Sequence, residues 1–445
     1  MSEGAKVRGI AEAAYRRGAV KRKRPVALSE ETLAQGAWIE DLVYTTAGTL
    51  KASLDNVEAI LRQDTRWAGV LAFCTFSDRI LKRAPPPWER AELGEWSEID
   101  DDRLRLWLAR EYGFAPAASE VISAVRVIAD ANRVHPVREY LEGLRWDGTA
   151  RLACWLQDFL GAENSPYVRA VGLRWMISAV ARVMRPGCKA DGVLILEGPQ
   201  GIGKSSALAV LAEPWFSDSP VLIGDKDGMQ QIQGVWICEL AELDSFNKAE
   251  STRAKQYFGS PVDRYRPSYG KRPVDHPRQC VFAGSTNQHA YLKDPTGNRR
   301  YWPVACQEAN LEALRAARDQ LWAEALARYQ DGEPWWPTED EAPLFASEQD
   351  ARFTEDVWQE LIVAWLEDPM QRGEPYFTGA QILKGALGLE AHQMRQPEQM
   401  RLGYIMARIE WPRVRRRVAV EGTTRTTRCY VYLRPATSED DDDAR

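Results

Sequence analysis

The residues most suited to chemistry are Gly198-Pro199-Gln200-Gly201-Ile202-Gly203-Lys204-Ser205, a complete G-x-x-x-x-G-K-S pattern, with Ser206 directly after it. Glycines at this spacing let a loop turn tightly with its N–H groups facing inward, where they cradle phosphate oxygens. A helix beginning at the lysine adds the partial positive charge of its amino end. Lys204 then reaches the β- and γ-phosphates, and the Ser205 hydroxyl is placed to ligate Mg²⁺. The flanks agree with this setting. Val193-Leu194-Ile195-Leu196 reads as a short buried strand, and Ser206-Ala207-Leu208-Ala209-Val210-Leu211 reads as a helix. The expected ligands are a nucleoside triphosphate and Mg²⁺.

Hydrolysis needs further groups, and they must lie downstream. Val235-Trp236-Ile237-Cys238 is a second apolar strand and ends in Glu239-Leu240-Ala241-Glu242. Acids at the carboxyl end of a strand beside a phosphate loop can hold Mg²⁺ and polarise the attacking water. Glu239 is the candidate on the metal side, and either Glu239 or Glu242 can serve as the base. The alternative is a pair of solvated acids at a helix start. A third apolar stretch, Cys280-Val281-Phe282-Ala283-Gly284, leads through Ser285-Thr286 to Asn287, which could sense the γ-phosphate from a strand between the other two. A tight Gly297-Asn298 turn presents Arg299 and Arg300, and a guanidinium there suits an arginine finger that stabilises charge on the transferred phosphoryl group. An ordinary ion pair is the alternative.

Between the acids and Asn287 lies a basic stretch interleaved with aromatics: Arg253, Lys255, Arg264, Arg266, Tyr269, Lys271 and Arg272, with Asp263 as the counterexample. Basic groups hold a phosphate backbone and aromatics stack bases, so this segment is a candidate grip on single-stranded DNA.

These groups need a scaffold. The chain of 445 residues has 44% hydrophobic and 27% charged residues, ordinary values for a globular protein, and is long enough for two to four folded units. It has no run of eighteen apolar residues, so no membrane span or membrane partner is expected. Seven scattered cysteines with no C-x-x-C pair point to reduced thiols in a cytosol rather than to a disulfide or zinc framework. The net charge of −6 excludes a uniformly basic nucleic-acid coat but hides local asymmetry.

The predicted organisation is a basic arm over 1–28, a helical N-terminal domain over 29–150, a P-loop core over 151–335, a C-terminal domain over 352–434 and an acidic tail over 435–445. Asp100-Asp101-Asp102 precedes an apolar helical pattern and reads as a helix start, although an acid cluster could also bind metal. In the C-terminal block, a helix that starts with Phe377-Thr378-Gly379-Ala380-Gln381-Ile382-Leu383, a second from Pro397 to Ile409 and a ribbon from Trp411 to Arg434 predict a winged-helix-like module. Residues 401–434 carry nine arginines against Glu410 and Glu421, which favours DNA, origin duplex included, over a protein-docking role.

The run from Trp146-Asp147-Gly148 and Arg151, through Gly198 to Ser206, Glu239-Leu240-Ala241-Glu242, Asp263-Arg264-Tyr265-Arg266 and Asn298-Arg299-Arg300-Tyr301-Trp302, resembles the virulence-associated E family. The upstream phrase His135-Pro136-Val137-Arg138-Glu139-Tyr140-Leu141 extends the resemblance. These are P-loop ATPases of phages and integrated elements, similar to superfamily 3 replicative helicases. The resemblance implies an AAA+-like α/β core that forms homo-oligomeric rings, usually hexamers, with nucleotide at subunit interfaces. Relatives that carry a primase have more chain ahead of the ATPase, and no metal-binding acid motif is found here. The expected function is an ATP-dependent DNA helicase or translocase of phage or mobile-element replication. The alternatives are a DNA-binding replication initiator and a regulatory P-loop NTPase without unwinding activity.

Overall fold

The computed structural model describes residues 36–240, 248–266, 272–288, 291–292, 298–352, 357–371, 373–419 and 426–435. The basic arm and the residues after 435 lie outside that range. The chain divides into two compact units. The larger holds residues up to 245, 253–287 and 300–345; the smaller holds 246–252, 288–299 and 346 onward.

The larger unit begins with α1 (Leu54–Gln63), whose Val57, Ile60 and Leu61 fall on one face at helical spacing and are buried. Strands β1 (Leu71–Cys74), β2 (Arg79–Lys82) and β3 (Gly94–Glu95) follow, then α2 (Glu98–Glu111), α3 (Ala118–Ala131) and β4 (Arg133–Val134). The four strands form a sheet in the order β3-β2-β1-β4, antiparallel except for β1 with β4. The region expected to be mostly helical thus also contains a four-stranded sheet that the sequence reading did not include. Its strands span two to four residues each, too few to show a period of two. The Asp triplet starts a helix: the Ser97 N–H donates to Asp100 Oδ2 at 2.9 Å, and Lys82 Nζ reaches the same oxygen at 2.6 Å. This region has its own apolar cluster, with Trp67, Leu104, Leu108 and Val125 at its centre.

Next come α4 (Pro136–Gly143), α5 (Trp155–Leu160) and α6 (Pro166–Met184). Helix α6 is buried nearly all round, because apolar residues occupy most of its faces. A parallel five-stranded sheet is then built from β5 (Val193–Glu197), β6 (Phe216–Ser217), β7 (Ile237–Leu240), β10 (Val281–Thr286) and β11 (Tyr301–Ala305). Their order is β11-β5-β10-β7-β6. All five residues of β5 are buried, as expected for a parallel strand covered on both faces. Helix α7 (Lys204–Ala212) follows β5, α8 (Lys226–Gln231) precedes β7, and α9 (Lys248–Gly259) follows it. Between α9 and β10 stands an antiparallel hairpin, β8 (Val262–Tyr265) with β9 (Val274–Pro277). Helix α10 (Leu311–Gln330) closes this layer against α6 and α7, with the Trp236 and Trp322 rings 4.1 Å apart between centroids. Helix α11 (Ala342–Ala351) follows.

The smaller unit contains α12 (Val357–Glu367), β12 (Tyr376–Thr378), α13 (Gly379–Leu387), α14 (Gln396–Arg408), β13 (Arg413–Ala419) and β14 (Thr426–Leu433). Its three strands are antiparallel in the order β12-β14-β13. Thr378 caps α13 by accepting from the Gln381 N–H at 3.3 Å, and the Gln381 side chain accepts in return from the Thr378 N–H at 2.8 Å. Ile362, Phe377, Ile382, Leu402, Met406 and Tyr432 fill its core.

Candidate functional site

The glycine-rich loop leaves the carboxyl end of β5 and enters α7 at Lys204. Gly198 has φ 142°, and a Cβ there would meet the Cys306 carbonyl oxygen at 2.4 Å, so the first loop position excludes a side chain. The Gly198 N–H donates to the Thr286 carbonyl at 3.2 Å, which ties the loop to the neighbouring strand β10. Pro199, Gln200 and Gly201 are exposed, Ile202 and Gly203 half-buried, and Ser206 faces solvent on the first turn of α7.

Lys204 is buried, and its Nζ donates to the carbonyls of Gly198 at 2.7 Å and Pro199 at 2.8 Å. Burial holds its pKa below the usual lysine value, with the Glu239 charge opposing. Ser205 Oγ donates to Glu239 Oε1 at 2.7 Å, and Ser285 Oγ donates to the same oxygen at 2.6 Å. The two hydroxyls lie 3.5 Å apart. Glu239 is only 3% exposed, and its other oxygen, Oε2, is buried with no hydrogen-bond partner.

Parallel pairing explains this convergence. Ala283 stands opposite Glu239, so Ser285, two residues along, falls on the same face and reaches the carboxylate. Ser285 was not among the expected site residues. A serine one position before a strand's end has no local signature, and only the β10–β7 register gives it a role. Asn287, just past β10, is exposed, and its strand lies between β5 and β7. Glu242 lies outside the described residues.

The expected arginines stand at the opposite end of the sheet. Asn298–Arg300 is a short 3-10 turn leading into β11, whose first residue pairs with Val193, the first residue of β5. About 13 Å of strand therefore separates the start of β11 from the glycine loop. Arg300 Nε lies 3.2 Å from Asp191 Oδ2 in a largely buried ion pair, while Arg299 is exposed. Arg300 also approaches the end of α9: a Cβ on Gly259 would be 3.4 Å from its Nη2.

The basic stretch divides between α9 and the hairpin. Arg253 on α9 is exposed, and Lys255 is on the same helix with its side chain outside the description. Arg264 on β8 is 72% exposed and 3.4 Å from Asp275 on β9, while Arg266 and Arg272 are exposed beyond the paired residues. Tyr269 and Lys271 lie outside the described residues. Asp263 faces inward, buried against Arg278.

The remaining shared phrases have structural roles. His135 caps α4 and its Nε2 lies 2.6 Å from Gln279 Oε1. Asp147 pairs with Arg151 at 2.7 Å and donates its N–H to Gln320 on α10 at 3.0 Å. All seven cysteines are unpaired. Among the described residues, no group of three or more His, Cys, Asp or Glu side chains is placed to hold a metal ion. Nor is any helix among them long and apolar enough to cross a membrane.

Comparison with known proteins adds three findings. No curated protein matches the chain. The C-terminal region of NrS-1, residues 305–718 of that protein, gives a TM-score of 0.41 at 11% identity, covering 82% of this chain and 95% of that one. A second structure of that region, its A form, gives 0.45 at 12% identity over the same shares. Residues 141–354 match the virulence-associated protein E-like domain, and they contain the glycine loop, Lys204, Ser205, Glu239 and Ser285. The similarity to the virulence-associated protein E-like domain is thus confined to residues 141–354, and the Ser205–Glu239–Ser285 cluster lies within them.

Proposed function

We propose that the chain is a Mg²⁺-dependent ATP hydrolase that acts on DNA, a ring translocase or helicase of phage or mobile-element replication. One observation carries the reading: Ser205 and Ser285 both donate to Glu239 Oε1 beside the glycine loop, leaving Oε2 buried and unpaired. A buried acceptor without a donor costs about 1–3 kcal/mol, and a cation beside it relieves that cost. The donor set suits Mg²⁺, which is held by one or two protein oxygens together with substrate phosphates rather than by an all-protein cage.

In this reading the parallel sheet is an AAA+-like P-loop core. The loop of residues 198–206, through its N–H groups from Gln200 onward, and the Lys204 ammonium would hold the phosphates, and Ser205 and Glu239 would hold the metal. Bound Mg²⁺ supplies charge neutralisation on the phosphoryl group. Glu239 is already engaged by two hydroxyls, so we assign Glu242 as the base and Asn287 as the group that orients water. Lys204 keeps a donor at the phosphates, and the loop's backbone geometry excludes side chains that would displace them.

The arginines at the far end of the sheet fit a homo-oligomeric ring, hexameric by family resemblance, in which Arg299 serves the nucleotide of the next subunit and Asp191 fixes Arg300 beside it. Arg253, Lys255, Arg264, Arg266, Tyr269, Lys271 and Arg272 would grip single-stranded DNA inside that ring, and the C-terminal unit would act as a winged-helix-like module. Such a machine works in the cytoplasm of a bacterial or phage-infected cell.

The test is ATP turnover with Mg²⁺, with and without single-stranded DNA. Lys204→Ala should lose at least about tenfold, some 1.4 kcal/mol. DNA should stimulate the wild type, and Arg264→Ala/Arg266→Ala/Arg272→Ala should lose the stimulation while keeping basal turnover. A folded Lys204→Ala protein with normal turnover would sink the site. Turnover indifferent to DNA would leave a regulatory NTPase instead.

A further inference from the structure

We infer that the β13–β14 ribbon, rather than the exposed face of α14, is the surface of the C-terminal unit that binds the phosphate backbone of duplex DNA. The register carries the argument. Arg415 stands opposite Tyr430 and Arg417 opposite Arg428, so Arg413, Arg415, Arg417, Arg428 and Tyr430 share one face of the ribbon. All five are exposed, and Arg416 is exposed on the other face. No acidic residue occurs in Arg413–Ala419 or Thr426–Leu433, and among the described residues none of these arginines forms an ion pair.

Two like charges directly opposite one another weaken a strand pair. Arg417 and Arg428 are such a pair, and a polyanion is the partner that turns their repulsion into attraction. Arginines at alternate positions of β13 recur about every 6.8 Å. A strand of duplex DNA offers one charge for about every 3.4 Å of its axis, so each arginine can meet a separate phosphate. Arg413 lies 4.3 Å over the Tyr430 ring, which presets part of this face. By contrast, Gln399, Met400 and Tyr404 on the exposed side of α14 carry no charge; Arg408 at its last turn is exposed, and Arg401 is half-buried.

This surface extends the proposed reading, resting on it only for the identity of the polymer, and it can fail separately. The experiment measures binding of the full chain to a fluorescent duplex of about thirty base pairs across a salt series. Each lost phosphate contact flattens the log–log slope by about 0.9, so Arg415→Ser/Arg417→Ser/Arg428→Ser should flatten it by about 2.7. Replacing the same three residues by lysine should keep most of the slope, because the charge remains. Gln399→Ala/Met400→Ala should leave it unchanged. An unchanged slope in the serine variant, or a lysine variant as weak as the serine one, overturns the inference. So does loss of the slope in the α14 variant, which would move the contact to that helix. A flattened slope in a protein whose ATPase ignores DNA would uphold the ribbon and reject the translocase.

Discussion

Arg278 and Asp263 form a buried ion pair at the base of the β8–β9 hairpin, with Arg278 Nε donating to Asp263 Oδ2 at 2.9 Å. Both residues are almost fully buried, at 2% and 1% exposure. The guanidinium also lies over the rings of Tyr257 on α9, at 4.4 Å, and Phe282 on β10, at 5.5 Å. The strand that carries Ser285 and leads to Asn287 is thereby packed against the root of the basic hairpin.

Breaking that pair from one side should be severe. Asp263→Asn leaves an uncompensated buried guanidinium and should cost about 3–5 kcal/mol in urea unfolding. The double variant Asp263→Leu/Arg278→Met should be less destabilised than either single change, because no orphaned charge remains. A loss under about 1 kcal/mol in the single variant would mean that the hairpin is anchored elsewhere.

Ser285→Ala should test the cluster around Glu239. It removes a donor to a buried carboxylate, an interaction of about 1.5–3 kcal/mol, so turnover should fall at least about tenfold. Ser285→Thr retains the hydroxyl and should stay within a few-fold of the wild type. Equal turnover in the alanine variant and the wild type would make Ser285 a bystander.

The placement of Arg299 and Arg300 at the amino end of the sheet leads to a mixing experiment. Lys204→Ala keeps its arginines, and Arg299→Ala keeps its glycine loop; each alone should hydrolyse ATP poorly. Arginine fingers supplied by a neighbour contribute about 10³ or more in other P-loop enzymes. Mixed rings should therefore recover part of the activity, since some interfaces hold both intact parts. Proven subunit exchange without recovery would refute the shared site.

His135 should confer a pH dependence on the docking of the N-terminal region. Its Nε2 faces Gln279 Oε1, and its Nδ1 accepts from the Arg138 N–H at 3.2 Å, so the ring is a neutral Nε2–H tautomer. Burial lowers its pKa, Gln279 opposes this, and the Arg138 charge adds to the lowering. A depressed folded-state pKa means that this stability is complete above the unfolded value, about 6.5, and is lost as pH falls below it. Protonation would also turn Nδ1 from acceptor into donor against the Arg138 N–H. The fall in Tm between pH 7.5 and 5.5 should be smaller in His135→Gln than in the wild type. Equal falls would assign the acid sensitivity to other groups.

The glycine loop was legible in the sequence because its conformation is local: three glycines, a lysine and a serine suffice, with an apolar run before and a helical run after. The helix at Asp100 and the two helices after Thr378 were legible for the same reason, as caps and periods are short-range properties, whereas Phe377 and Thr378, read into a helix start, belong to strand β12. The N-terminal sheet was not, because β2 is Arg79-Ile80-Leu81-Lys82 and becomes a strand only by pairing with Leu71–Cys74. Nor was the role of Ser285, or the separation of Arg300 from the loop. Both depend on register between strands far apart in the chain, which no window of neighbouring residues contains.

The strand order has a consequence for synthesis. β5 pairs with β10 on one side and β11 on the other, and these partners begin only at Val281 and Tyr301. A growing chain therefore releases the glycine loop from the ribosome roughly a hundred residues before its supporting strand can be flanked on both sides, and closing so long a loop is slow. Until then an apolar strand with two open edges is vulnerable to pairing with other chains. A fragment ending before residue 305 would contain the whole G-x-x-x-x-G-K-S motif and still lack the framework that shapes it. The smallest autonomous piece that holds the glycine loop in this framework is thus set by the arrival of β11, not by the motif.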